Sequence, residues 1–122
     1  MGNFGQTIGG QRVHEGGGFY STPDTLVETG HVYQPNAATK LFGIPDYPVA
    51  AGTRRWFNNG DIGDTRHFNR PAGWTPLEGR EVFWNDATKE IATSGDLFIG
   101  YEVDTKASNT GGMVAVAIKM KA

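Results

Sequence analysis

Glycine and proline interrupt this chain so often that long helices are excluded. The 122 residues include 18 glycines and 6 prolines, distributed along the whole sequence. No stretch of helical length carries apolar residues at three- and four-residue spacing without one of these two residues breaking it. Glycine raises the entropy cost of a helix, and proline removes a hydrogen-bond donor. The sequence therefore predicts an all-β domain in which short strands are joined by turns.

The last third of the chain gives the clearest strand pattern. Residues 79–84 form a β-favouring aromatic run, and 89–93 form a second short run beyond a polar turn. Residues 97–103 are apolar enough to be covered on both faces, and 113–121 alternate in the manner of a half-buried strand. Side chains of successive strand residues point to opposite faces. The inward set is Val114, Val116, Ile118 and Met120, and the outward set is Ala115, Ala117, Lys119 and Lys121.

Shorter extended segments are predicted before this region. Residues 19–22 and 26–28 flank a Pro-Asp turn, and 40–44 resume an extended course. Residues 45–79 are irregular and contain four prolines, although 65–69 could form a strand. Together these segments predict a compact β-sandwich or small β-barrel of roughly seven to nine short strands.

The first 18 residues form a glycine-rich N-terminal arm, and residues 19–122 form a single β domain. Seven of these 18 residues are glycine, so the arm is costly to order by itself. It is either a frayed end or a segment that becomes ordered against a neighbouring subunit. Phe4, Ile8 and Val13 are the apolar side chains that would anchor it in the second case.

Composition excludes several classes of partner and site. The net charge is −2, with both signs mixed along the chain, so the sequence predicts no nucleic-acid binding. No apolar run reaches the roughly 18 residues of a membrane-spanning helix, and the N-terminus lacks the pattern of a signal peptide. The absence of cysteine excludes disulfides and thiolate metal sites.

No residue pattern predicts catalysis, a metal or a cofactor. His14, His31 and His67 are dispersed, without the helical spacing of a zinc site. The loop from Asp61 to Asp64 lacks the alternating acidic ligands of a calcium loop and is better explained as a structural turn. No serine lies in a nucleophile elbow. The protein is therefore predicted to be a non-enzyme.

The candidate binding residues are aromatic and cationic. Arg54, Arg55 and Trp56 form a compact run in the irregular middle segment, and Trp74 lies in the same segment. Tryptophan beside arginine is typical of interfaces, although both tryptophans could instead cover the ends of a small barrel. Trp84 belongs to an apolar run and is expected in the core.

Residues 76–121 contain a series of turn and strand features, namely Gly79, Val82, Phe83-Trp84, Asp86-Ala87-Thr88, Ile91-Ala92-Thr93, Ile99-Gly100 and Val114-Ala115-Val116. In these features the segment resembles the small capsid cement, or decoration, proteins of tailed bacteriophages. The resemblance is a pattern of turns and strands rather than a chemical motif. It departs from the family at Thr88-Lys89, where a glycine often precedes the lysine, and in the polar loop 106–110.

This resemblance implies a structural virion protein that is made in the host cytoplasm and binds the outer surface of the capsid. There it would stabilise contacts between major capsid subunits, with the major capsid protein and itself as partners. A homotrimer is expected, with a dimer as the second choice. The alternative is a carbohydrate-binding module or surface adhesin in which Tyr20, Tyr47, Trp56 and Trp74 stack on sugars.

Overall fold

The protein is nearly all β-strand. A computed structural model describes residues 17–60, 64–106 and 112–120. The predicted anchors Phe4, Ile8 and Val13 lie outside these residues, as does Asp61. The strands are β1 (Gly18–Ser21), β2 (Arg55–Asn58), β3 (Thr65–Asn69), β4 (Glu81–Asn85), β5 (Glu90–Ala92), β6 (Leu97–Val103) and β7 (Met113–Ile118). The all-β class is confirmed, and β1 begins one residue before the predicted start of the domain.

The larger sheet contains five antiparallel strands in the order β3-β7-β6-β4-β5. Four of them, β4 to β7, are the strands predicted in the last third of the sequence. β6 has the predicted bounds, β5 and β7 are shorter, and β4 begins two residues later and ends one residue later than predicted. The sheet is curved, and the curvature brings Cα atoms of its two edge strands, β3 and β5, within 8 Å of each other. The same curvature gives the sheet an inner face, which carries most of the core.

Strand β7 confirms most of the predicted alternation. Val114, Val116 and Ile118 are buried on the inner face, and Lys119 is exposed. Met120 was predicted to point inward but is 38% exposed, because the strand ends at Ile118. Ala115 was predicted to face solvent but is only 1% exposed. It pairs with His67 of β3 on one side and with Val103 of β6 on the other, and these longer side chains flank it.

Truncating Ile118 to alanine is expected to lower the free energy of unfolding by about 2–5 kcal/mol, because the change removes buried methyl groups and leaves a cavity. Urea denaturation measures the change. The exposed neighbour Lys119 provides the control, and its alanine variant is expected to stay within about 0.5 kcal/mol of the wild type. An Ile118→Ala loss no larger than that of the control would contradict the register of β7.

A β-bulge interrupts the pairing of β4 with β6. Val82 lies opposite Gly100 and Phe83 opposite Phe98, so Ile99 is the extra residue of β6. Gly100 has φ +156°, and a Cβ placed there would lie 2.0 Å from the carbonyl oxygen of Ala117 in β7. Only glycine therefore permits β7 to approach β6 this closely.

The second layer is built on the two-stranded sheet β1-β2. Isolated bridges extend it, with Ile44 pairing with Asn58, Tyr33 with Gly43, and Val27 with Val49. The predicted strands at 19–22 and 65–69 are therefore confirmed as β1 and β3, whereas 26–28 and 40–44 contribute only these single bridges. The prediction for residues 45–79 was wrong at Trp56, which lies in β2 rather than in an irregular segment.

Two apolar clusters join the layers. The smaller one consists of Val27, Val49 and Phe57, against which Phe19 and Tyr33 pack. The larger one fills the inner face of the five-stranded sheet and includes Trp84, as predicted. Its members are Val32, Phe42, Ile44, Phe68, Val82, Trp84, Ile91, Leu97, Ile99, Val114, Val116 and Ile118.

Candidate functional site

The outer face of the β1-β2 sheet carries a pair of aromatic rings. Tyr20 of β1 lies directly opposite Trp56 of β2, and the two rings meet edge to face with centroids 5.1 Å apart. The neighbouring pair, Phe19 and Phe57, points inward to the smaller apolar cluster. Strand alternation therefore places two of the chain's aromatic pairs on opposite faces of the same ribbon.

Arg54 covers the ring of Tyr20. Its guanidinium carbon lies 4.3 Å from the ring centroid, which is the geometry of a cation–π contact. A turn just before β2 fixes this position. The Thr53 amide donates to the Ala50 carbonyl at 3.2 Å, and Gly52 has φ +79°, the glycine conformation of a type II turn. The Gly52 amide also donates to the Pro23 carbonyl at 2.8 Å, which ties the turn to the end of β1.

A hydrogen-bonded network forms one side of the same surface. Trp56 Nε1 donates to Asn58 Oδ1 at 3.0 Å, and Asn58 Nδ2 donates to Asp46 Oδ1 at 3.3 Å. Arg66 of β3 donates from Nη1 to Asp46 Oδ1 at 3.0 Å and from Nε to Asp64 Oδ1 at 2.9 Å. Burial lowers the pKa of Arg66, but the hydrogen bond to Asp46 and the charge of Asp64 outweigh this effect, so its pKa is raised. Arg66 thus stays charged and joins the two sheets.

These residues surround a shallow groove of about 490 Å³, which we call the aromatic groove. Tyr47 is 68% exposed and Tyr20 is 43% exposed, so both rings are accessible to a partner. Arg54 and Arg55 have no carboxylate within ion-pair distance among the residues that the structure describes. The lining residues are Tyr20, Pro45, Asp46, Tyr47, Val49, Arg54, Arg55, Trp56 and Asn58.

Trp74 belongs to a different site. Its Nε1 donates to Glu102 Oε2 at 3.3 Å, and its ring lies under Arg80, whose guanidinium carbon is 4.6 Å from the ring centroid. Arg80 forms an ion pair with Glu102 Oε1 at 3.1 Å and also donates to the Thr75 carbonyl. Glu102 is 0% exposed and points to the inner face of β6. The group fastens the loop before β4 to β6, and we call it the buried ion-pair clamp.

The structure therefore brings together only part of the predicted site. Arg54, Arg55 and Trp56 lie together, joined by Tyr20 and Tyr47, which the sequence suggested as sugar-stacking residues. Trp74 packs against the main core instead and does not line the groove. Glu102 was not predicted as a functional residue, although the sequence carries a signal for it: it is the one acidic residue in a strand predicted to be covered on both faces.

A cavity of about 520 Å³ lies between the edge strands β3 and β5. His67 of β3, Glu90 of β5 and His31 are among its lining residues. Across ranges 17–60, 64–106 and 112–120, no group of three or more histidine, cysteine or acidic side chains is placed to hold a metal ion. No helix in these ranges is long and apolar enough to cross a membrane.

Comparisons with other proteins identify no relative of this chain: no protein-family model, no curated protein and no solved structure matches it.

Proposed function

We propose that this protein is a structural component of a tailed-phage virion, which binds the outer surface of the capsid and stabilises contacts between major capsid subunits. The single observation that carries the proposal is the aromatic groove, an exposed group of tyrosine, tryptophan and arginine side chains on a sheet. The resemblance of residues 76–121 to capsid cement proteins is the reason for proposing the capsid as the partner. Made in the host cytoplasm, the protein would reside on the virion and act without catalysis.

The composition of the groove favours a protein partner. Tyrosine, tryptophan and arginine are the residues that most often dominate the binding energy of protein interfaces. Here Tyr20 already contacts both Trp56 and Arg54, and Trp56 is hydrogen-bonded to Asn58. Side chains that are ordered before binding lose less entropy in the complex. A partner that covers this surface would therefore gain affinity from apolar burial at a small ordering cost.

Capsid stabilisation follows from binding at several contacts. A copy that touches more than one capsid subunit opposes their separation, because its binding energy is lost when they part. Self-association into a homotrimer, with a dimer as the second choice, would multiply the number of grooves in one particle. Closed symmetry is the usual arrangement of such assemblies.

Carbohydrate binding is the second candidate, and one observation favours it. Tyr47 is largely exposed beside Asp46 and Asn58, which is the combination of ring and polar groups that sugars bind. The other rings are less suitable for stacking on a sugar. Arg54 covers one face of Tyr20, and Trp56 packs over the backbone of Gly18, where a Cβ would lie 2.6 Å from the indole ring.

Replacing Trp56 with alanine is expected to weaken binding to expanded capsids at least about 30-fold, which is the effect of losing a residue that dominates an interface. Co-sedimentation of the purified protein with capsids that lack it measures the affinity. The control is Leu77→Ala, since Leu77 is exposed and lies outside the groove.

Unchanged capsid binding by the folded Trp56→Ala variant would show that the groove is not the contact surface. If the wild-type protein fails to sediment with capsids but binds a glycan array, the carbohydrate-binding alternative replaces the capsid proposal.

A further inference from the structure

We propose that the aromatic groove recognises an acidic, extended segment of its protein partner, whose carboxylates pair with Arg54 and Arg55 while an apolar side chain lies against Tyr47. This inference rests on the proposed function and specifies the chemistry of the partner. The observations that carry it are the charges, contacts and exposure of the groove residues.

The groove has more positive than negative side chains. Its one acidic side chain, Asp46, already accepts hydrogen bonds from Arg66 and Asn58. Arg54 and Arg55 form no ion pair within the described part of the chain. Two positive charges therefore remain on this surface although the whole chain has a net charge of −2. A complementary partner brings negative charge to this position.

Arg54 is held in position by its contact with the Tyr20 ring. A guanidinium group that stacks on an aromatic ring keeps the N–H groups at its edge available, and those groups match the two oxygens of a carboxylate. The Arg54 guanidinium lies over the Tyr20 ring, which holds it in position before the partner binds. An arginine that is already ordered loses less entropy when it forms the ion pair.

Arg55 provides the second positive charge of the groove. Its Nη1 donates to the carbonyl oxygen of Arg54 at 2.9 Å, which holds the side chain close to the backbone at the start of β2. Arg55 lines the same groove as Arg54, but a different contact holds its guanidinium group. The two guanidinium groups are thus suited to two separate carboxylates along a segment, and Tyr47 offers an apolar surface in the same groove.

A polypeptide fits this groove better than a nucleic acid or a sulfated polysaccharide. Those polyanions carry charge at regular short intervals and bind along basic stripes that neutralise many anionic groups. Within the described residues, the groove offers two arginines without a carboxylate partner, together with the ion-paired Asp46 and three aromatic rings. It suits a ligand that alternates charged and apolar groups.

The test compares the double variant Arg54→Glu and Arg55→Glu with the double variant Arg54→Lys and Arg55→Lys in the full chain. Charge reversal is expected to weaken co-sedimentation with capsids at least about 30-fold, because two attractions become repulsions. The lysine pair keeps the charge but loses the planar geometry, so a loss of about 3- to 10-fold is expected. Lys40→Glu with Lys119→Glu is the control, since it changes the net charge equally at exposed residues outside the groove.

Competition then identifies the ligand chemistry. Poly-L-glutamate is expected to displace the wild-type protein from capsids, and raising NaCl from about 0.05 to 0.5 M is expected to weaken binding. Stronger displacement by heparin or single-stranded DNA than by poly-L-glutamate would overturn the inference. So would normal capsid binding by the folded charge-reversal variant, and in that case the proposed function would stand. Failure of the wild-type protein to bind capsids would reject the proposed function itself.

Discussion

Replacing Arg80 with alanine is expected to lower the free energy of unfolding by about 3–5 kcal/mol, because it leaves a buried carboxylate without its ion-pair partner. Glu102 is completely buried and has two side-chain contacts, the ion pair with Arg80 and the hydrogen bond from Trp74. The loss is large against the total stability of about 5–15 kcal/mol that is usual for a domain. Urea denaturation at neutral pH measures it.

A second change separates the unpaired charge from the lost packing. Adding Glu102→Gln to the Arg80→Ala variant removes the charge, and we expect it to restore part of the stability. Lys89→Ala is the control for an exposed ion pair, since Lys89 contacts Asp86 at the surface, and it is expected to cost at most about 1 kcal/mol. A loss in Arg80→Ala as small as that of Lys89→Ala would show that the clamp does not stabilise the fold.

Replacing Gly100 with alanine is expected to destabilise the protein by more than about 4 kcal/mol or to prevent folding. The added Cβ would lie 2.0 Å from the Ala117 carbonyl oxygen, so β6 and β7 would have to separate at the centre of the five-stranded sheet. Neither backbone can move aside without breaking strand pairs. The yield of folded protein and its urea midpoint measure the effect.

Gly73→Ala provides the matched control for Gly100→Ala. Gly73 also has positive φ, at +79°, but a Cβ there would meet no atom within 4 Å. Its expected cost is therefore only the backbone strain, about 1–2 kcal/mol. If both variants lose the same stability, the close approach of β6 and β7 at Gly100 is not a constraint.

The sequence predicted the parts of the fold whose pattern is local. Val114, Val116 and Ile118 were assigned correctly because alternation in β7 directly reflects the two faces of a sheet. The positions of strands β4 to β7 along the chain followed from the turn residues that separate the apolar runs. The role of Ala115 could not be predicted, because its burial depends on which strands lie on either side.

The candidate site was predicted in composition but not in arrangement. Arg54, Arg55 and Trp56 are adjacent in sequence, so their proximity needed no knowledge of the fold. The addition of Tyr20 depends on the pairing of β1 with β2 across more than 30 residues, which no local pattern reveals. The sequence left open whether Trp74 contributes to an interface or covers one end of the barrel, and its contact with Glu102 could not be foreseen because the two residues lie far apart in the chain.

The curvature of the five-stranded sheet also bears on how the protein behaves at high concentration. Open sheet edges are templates on which further chains add strands and polymerise. Here the two edge strands, β3 and β5, face each other across a narrow gap instead of pointing outward from opposite sides. β5 has only three residues, and Lys89 and Glu90 place charge at its start. These two edges therefore offer little template for the growth of fibres, even at high protein concentration.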